Sequence, residues 1–171
     1  HALATTYDNF WCSAGVHPDN EGVQEPSLGD LTALAARPRV VAIGETGLDY
    51  YRLNGRSVAE MAWQRERFRV HIAAARATSL PLVIHTRDAS ADTLAILREE
   101  GEDGAPGAAG GVFHCFTETL QVARAALDIG ERAPDFTTSA ALGGKVFQYS
   151  LSEALKKGPV VLYLFPAAYS E

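Results

Sequence analysis

Four apolar runs set the pattern of the chain, and each runs into a polar group able to do chemistry. Trp11-Cys12-Ser13-Ala14-Gly15-Val16 leads to His17, and Val40-Val41-Ala42-Ile43-Gly44 leads to Glu45. Leu80-Pro81-Leu82-Val83-Ile84 leads to His85, and Gly110-Gly111-Val112-Phe113 leads to His114. Successive groups are 28, 40 and 29 residues apart, which suits one strand, one crossover helix and the next parallel strand. Parallel strands joined this way end on one face, so groups distant in sequence converge there. His and Glu side chains converging on that face point to a metal site.

The intervening segments carry helix signals. Ser27-Leu28-Gly29-Asp30 opens a short helix that Arg37-Pro38 stops. Ser57-Val58-Ala59-Glu60 reads as a capping box for a long helix ending near Thr78, with Met61, Gln64, Phe68, Ile72 and Ala75 on its apolar face. On this wheel His71 points away from the strand ends and is expected in solvent. A helix through Leu94, Ile96 and Leu97 stops at Gly101, and one capped by Thr117 ends at Gly130. Residues 46–52 are expected to form a loop at the rim of a pocket, and residues 102–111 a mobile Gly/Ala linker. Beyond Gly130 the rhythm changes. Two short strands are expected, near residues 133–136 and 143–147, then a helix opened by Ser150 and ended by Gly158-Pro159, then an apolar strand at 160–165.

Composition narrows the function. The net charge is −6; residues 1–130 hold eleven Arg, no Lys and seventeen acids, whereas residues 131–171 balance to zero. An acidic chain is not a general phosphate-backbone binder, but a nuclease working through metal ions draws local positive charge from the ions. No run of about eighteen apolar residues predicts a membrane span. The start at His1-Ala2-Leu3-Ala4 reads as a fragment, no export leader is visible, and Cys12 and Cys115 read as reduced thiols, so a cytoplasmic location is expected.

The segments Gly15-Val16-His17-Pro18, Ile43-Gly44-Glu45-Thr46-Gly47-Leu48-Asp49-Tyr50, Pro81-Leu82-Val83-Ile84-His85-Thr86-Arg87-Asp88-Ala89 and Gly111-Val112-Phe113-His114-Cys115-Phe116 resemble the TatD family of metal-dependent deoxyribonucleases. The resemblance implies an α/β fold of the (β/α)8 TIM-barrel type and hydrolysis of phosphodiester bonds in DNA with divalent Mg, Mn or Zn. It implies metal ligation by Glu45, bridging two ions, and by His85 and His114 at the second ion. His17 is read either as a turn cap or as a contact to substrate phosphate. Arg87 is read either as a phosphate clamp or as a partner of Asp88 or Glu45. Without the metal role, Glu45 is expected to pair with Arg52 or Arg87, because a lone buried carboxylate is costly. Cys115 is expected to point away from the site by strand alternation. No catalytic acid or base beyond the ligands is assigned, and no stable protein partner is evident.

Two departures qualify the resemblance. The family's first-strand His-x-His pair and its later Asp have no counterpart here, so the isolated chain is expected to hydrolyse DNA poorly. Residues 131–171, from Ala133-Pro134-Asp135-Phe136 to Phe165-Pro166-Ala167-Ala168, resemble the N-terminus of a peroxiredoxin, a thioredoxin-like thiol peroxidase. The expected organisation is thus a partial barrel over 1–130 and a partial thioredoxin-like segment over 131–171. The rival readings are a peroxidase fragment lacking its reactive Cys and an inert chimera.

Overall fold

Strands buried on both faces are rich in small and branched apolar residues, and the four apolar runs do form such strands. In a computed structural model that describes residues 1–7, 10–102, 105–127, 137–142 and 145–156, they are β1 (Cys12–Ala14), β2 (Val40–Asp49), β3 (Leu82–Arg87) and β4 (Gly111–Phe113). All pair in parallel, and their order in the sheet is β1-β2-β3-β4. Strand order follows chain order without reversal, which is the succession of a (β/α) barrel rather than of a doubly wound sheet.

Helices cross between the strands. α1 (Ala2–Thr6) precedes β1, and α2 (Leu28–Ala35) joins β1 to β2. It starts at a capping box in which the Ser27 N–H donates to Asp30 Oδ2 (3.0 Å) and the Asp30 N–H to Ser27 Oγ (3.1 Å). The capping box at Ser57 and Glu60 opens a single 3-10 turn (Val58–Met61), after which α3 (Ala62–Thr78) runs back along the sheet. Its Phe68, Ile72, Ala74 and Ala75 are fully buried, as are Ile43 and Leu48 of β2. α4 (Ser90–Glu99) joins β3 to β4, and α5 (Leu120–Leu127) follows β4. The α5 start is capped by Thr119 Oγ1, which accepts from the Val122 N–H at 3.3 Å, two residues later than the expected Thr117. Among the described residues no helix is long and apolar enough to cross a membrane.

Parts of two expected loops are held by the sheet. β2 continues through Asp49, burying Thr46, Leu48 and Asp49, because Gly47 lets the strand hug β3 beyond Glu45. Gly47 has φ +129, and a Cβ there would lie 2.0 Å from the His85 carbonyl oxygen. At residues 102–111 the buried Glu102 uses Oε2 to accept from the N–H groups of Ala109 (2.8 Å) and Gly110 (3.1 Å), tying the segment to the start of β4.

The chain divides into two compact units, residues 1–132 with 164–171 and residues 133–163. The second holds β5 (Thr137–Leu142) and β6 (Lys145–Ser150), an antiparallel pair with Leu142 opposite Lys145, then α6 (Leu151–Leu155). Ser150 Oγ accepts from the Glu153 N–H at 3.4 Å, the expected cap. The strands expected near 133–136 and at 160–165, and the helix ends expected at Gly130 and Gly158-Pro159, lie outside the described residues.

The close fit of β2 on β3 yields a test. Gly47→Ala is expected to lower stability by about 3 kcal/mol or more, from overpacking plus a strained φ. Gly22→Ala, at φ +72 with open space around its Cβ position, is expected to cost only about 1 kcal/mol. Urea denaturation of the two variants measures the difference.

Candidate metal centre

Glu45 reaches the site through a break in strand register. β2 and β3 pair Gly44 with Val83 and then Thr46 with Ile84, so Glu45 has no partner across the ladder. A bulge of this kind re-aims a side chain. The carboxylate so placed gathers the imidazoles of three other strand ends. Glu45 Oε1 lies 3.1 Å from His85 Nδ1, 3.0 Å from His114 Nδ1 and 3.7 Å from His17 Nε2. His17 Nε2 is also 3.3 Å from His85 Nδ1. His17, Glu45 and His85 each offer one ligand atom within 4.8 Å of the others, a cluster able to hold a metal ion. The structure therefore brings together His17, Glu45, His85 and His114. Among the described residues, neither Arg52 nor Arg87 pairs with Glu45.

Electrostatics follow from this crowding. The hydrogen bond with His85, aided by the His114 and His17 imidazoles, pulls the Glu45 carboxyl down to about 2 against the opposing effect of burial. Burial works against protonation of His85, but its bonds to Glu45 and Asp49 outweigh it and raise the imidazole pKa. Burial, and the neighbouring His85, lower that of His17.

The tautomers are set by outer partners. His85 Nε2 lies 3.0 Å from Asp49 Oδ2; Asp49 holds the Nε2 proton, so Nδ1, hydrogen-bonded to Glu45 when no ion is bound, is the nitrogen that gives up its proton to ligate. His114 Nε2 lies 3.6 Å from Cys115 Sγ. Its Nδ1 is buried and, although 3.0 Å from Glu45 Oε1, makes no hydrogen bond. His17 differs, since its Nδ1 accepts from the Asp19 N–H at 3.1 Å. The proton of neutral His17 is then on Nε2, which makes that atom a donor. Of the two readings of His17, the turn cap is seen at Nδ1, while Nε2 faces the cluster. The Cys115 expectation is corrected, because β4 ends at Phe113 and alternation no longer governs a residue with φ +46.

A buried polar stripe on α3 holds the site from behind. Gln64 accepts from the Asp49 N–H (2.9 Å) and donates to the carbonyls of Asp49 and Pro18 (both 3.1 Å). Arg67 donates to the His17 carbonyl (2.9 Å) and to both carboxylate oxygens of Glu25 (2.7 and 2.6 Å). His71 accepts from the Val16 N–H at Nε2 (3.0 Å) and donates from Nδ1 to the Arg67 carbonyl (2.8 Å). The expectation that His71 is solvated is overturned: it is fully buried. The signal was available in the spacing of Gln64, Arg67 and His71, which shares a face with Phe68 and Ile72. Asp49 was missed as a functional group because its segment read as a loop. Arg87, expected at the phosphate or beside Asp88, ends β3 with its guanidinium 3.6 Å over the Tyr51 ring.

Residues 1–139 match the family model described as TatD related DNase. The chain is 48% identical over 124 residues to the uncharacterized metal-dependent hydrolase YcfH of Escherichia coli (strain K12), covering 72% of this chain and 43% of that protein. It is 42% identical over 130 residues to the 3'-5' ssDNA/RNA exonuclease TatD of Cronobacter turicensis, covering 75% of this chain and 46% of that one. The crystal structure of YJJV, a TatD homolog from Escherichia coli K12, superposes with a TM-score of 0.63 at 28% identity, over 77% of this chain and 48% of that one. The chain thus spans less than half the length of these relatives. The peroxiredoxin-like and thioredoxin-like reading of residues 131–171 finds no support in these matches, and the family match runs to residue 139, past the boundary expected at 130.

The His71 contacts give a pH-dependent prediction. Burial lowers the His71 pKa, so below about 6.5 the unfolded chain binds a proton at this residue that the native state resists. His71→Phe leaves the Val16 N–H unpaired and is expected to cost about 2 kcal/mol at pH 8. The stability gap between wild type and variant is expected to narrow from pH 7 to pH 5, because only the wild type loses the contribution of a neutral His71. Urea unfolding at the two ends of that range checks the sign.

Proposed function

This chain belongs to the TatD related DNase family, and on that premise we propose that its cluster is the metal site of a hydrolase cleaving phosphodiester bonds in DNA. Glu45, His85 and His114 hold the ion; His17 and Arg87 contact substrate phosphate; residues 1–130 carry the site as a partial (β/α)8 barrel, and residues 131–171 take no part in it. One observation carries the ligand assignment. His114 Nδ1 is a buried nitrogen without a hydrogen bond, 3.0 Å from a carboxylate oxygen, and such an orphan is satisfied by a cation shared with that carboxylate. The donor set of one carboxylate and two imidazoles suits Mg, Mn or Zn without selecting among them.

A bound divalent ion supplies Lewis-acid charge to a phosphoryl oxygen and makes water a stronger nucleophile at neutral pH. The protein's own groups do the rest. Asp49 accepts the His85 Nε2 proton and so orients the ring with Nδ1 as the nitrogen available to ligate. The Asp19 N–H fixes the His17 tautomer, so its Nε2–H donates toward a non-bridging phosphate oxygen. Glu45 stays ionised across the working pH range because its carboxyl titrates at about 2. DNA as substrate is supported by the family description and by the name of the Cronobacter relative.

Calorimetric titration with Mn²⁺ tests the assignment. Wild type is expected to bind, Glu45→Ala to lose binding, and Asp49→Asn to bind 10- to 100-fold more weakly, as outer-shell partners of ligating imidazoles do. Cleavage of a single-stranded oligonucleotide is expected to be slow, to need the ion, and to vanish in Glu45→Ala. Unchanged Mn²⁺ affinity in Glu45→Ala would refute the reading.

A further inference from the structure

Tyr51 and Arg87 form a stacked pair just past the ends of β2 and β3, outside the ligand cluster. The Arg87 guanidinium lies 3.6 Å from the Tyr51 ring centroid, yet Tyr51 remains 54% exposed. Arg56, Arg65, Arg67, Arg69 and Arg76 each face a carboxylate. Arg87, like Arg52, Arg98 and Arg124, has neither an ion pair nor a side-chain hydrogen bond among the described residues, and of these four it alone lies over an aromatic ring. A guanidinium lying over a partly open aromatic ring leaves both groups accessible to a ligand.

The pair is also tied to the site. The Tyr51 N–H donates to Asp49 Oδ1 (3.0 Å), and the other oxygen of that carboxylate meets His85 Nε2 (3.0 Å). The Tyr50 N–H donates to the Arg87 carbonyl (2.9 Å), and Asp49 and Arg87 are register partners. One carboxylate therefore links the aromatic platform to a candidate ligand.

We propose that the Tyr51–Arg87 pair is a nucleotide subsite for single-stranded DNA, in which an unpaired base stacks on Tyr51 while Arg87 pairs with the adjoining phosphate. The proposal rests on the phosphodiesterase reading, with single-stranded substrate already in the name of the Cronobacter relative, and adds to it the side chains that hold an unpaired base. Stacking on a tyrosine face does not depend on base identity, so the subsite discriminates base-bearing from base-free strands and not one base from another. A duplex keeps its base faces covered and cannot use it.

Binding without cleavage isolates this claim. A short fluorescein-labelled oligothymidylate and an abasic strand of equal length are titrated with protein in EDTA, and anisotropy is read. Wild type is expected to bind the base-bearing strand about tenfold more tightly, within the range for one stacked base. Tyr51→Ala is expected to abolish that preference by weakening only the base-bearing strand, Tyr51→Phe to keep it, and Arg87→Ala to weaken both strands alike. Tyr51 is exposed and the hydrogen bond of its backbone N–H survives in each variant, so the fold is retained. Preference unchanged in Tyr51→Ala overturns the subsite and leaves the hydrolase reading standing. Should wild type bind neither strand in EDTA, the comparison is repeated with Mn²⁺, which supplies the positive charge an acidic chain lacks, and failure there too overturns the DNA reading and the subsite together.

Discussion

Placing a carboxylate among three imidazoles at the end of an apolar parallel sheet is the constraint that the rest of the structure answers. Glu45 is only partly exposed there, and a partly buried carboxylate left unpaired is costly. Its register break turns it toward His85 and His114, and the close approach of Gly47 to the His85 backbone keeps β2 and β3 paired beyond the break. The sheet therefore carries a bulge where the groups that follow its four apolar runs converge. Each imidazole then needs an outer partner to set its proton, and Asp49, Cys115 and the Asp19 N–H take those places.

The second demand is rigidity. The loop carrying His17 leaves a three-residue strand at the sheet edge, too short to position a side chain alone. Helix α3 compensates by spending its buried face on polar groups. Gln64, Arg67 and His71 bind the backbone of residues 16–18 and of Asp49, and each buried polar atom named here finds a partner. A buried network that is fully satisfied fixes one geometry, whereas a partly satisfied one is a liability. Phe68 and Ile72 supply the apolar contact beside the stripe, so one helix both fills the core and orients the site.

Much of this was legible in the sequence, for physical reasons. Strands buried on both faces are continuous apolar runs, so the sheet and the four groups that follow those runs could be read directly, although β2 and β3 extend past Glu45 and His85. The motifs around those groups carried the family resemblance. What was not legible depended on side-chain direction. His71 reads as a charged-face residue on a helix until its spacing with Gln64 and Arg67 is set against the buried Phe68. Asp49 sat in a segment whose glycine suggested a loop, yet that glycine serves close strand approach. Glu102 stood in a run of small residues that looked unstructured, and its role as acceptor for two backbone N–H groups has no local signature. Cys115 was assigned by alternation in a strand that ends two residues earlier.

The central claim is that His85 and His114 present unprotonated Nδ1 atoms to an ion shared with Glu45, while His17 keeps its proton on Nε2. Long-range proton–nitrogen NMR spectra of the uniformly ¹⁵N-labelled imidazoles, recorded before and after adding Zn²⁺, read those atoms one by one. The account predicts metal-induced shifts at Nδ1 of His85 and of His114, with His17 unchanged in its Nε2–H tautomer. A metal-induced shift at His17 Nε2 with His114 left unaffected would contradict it.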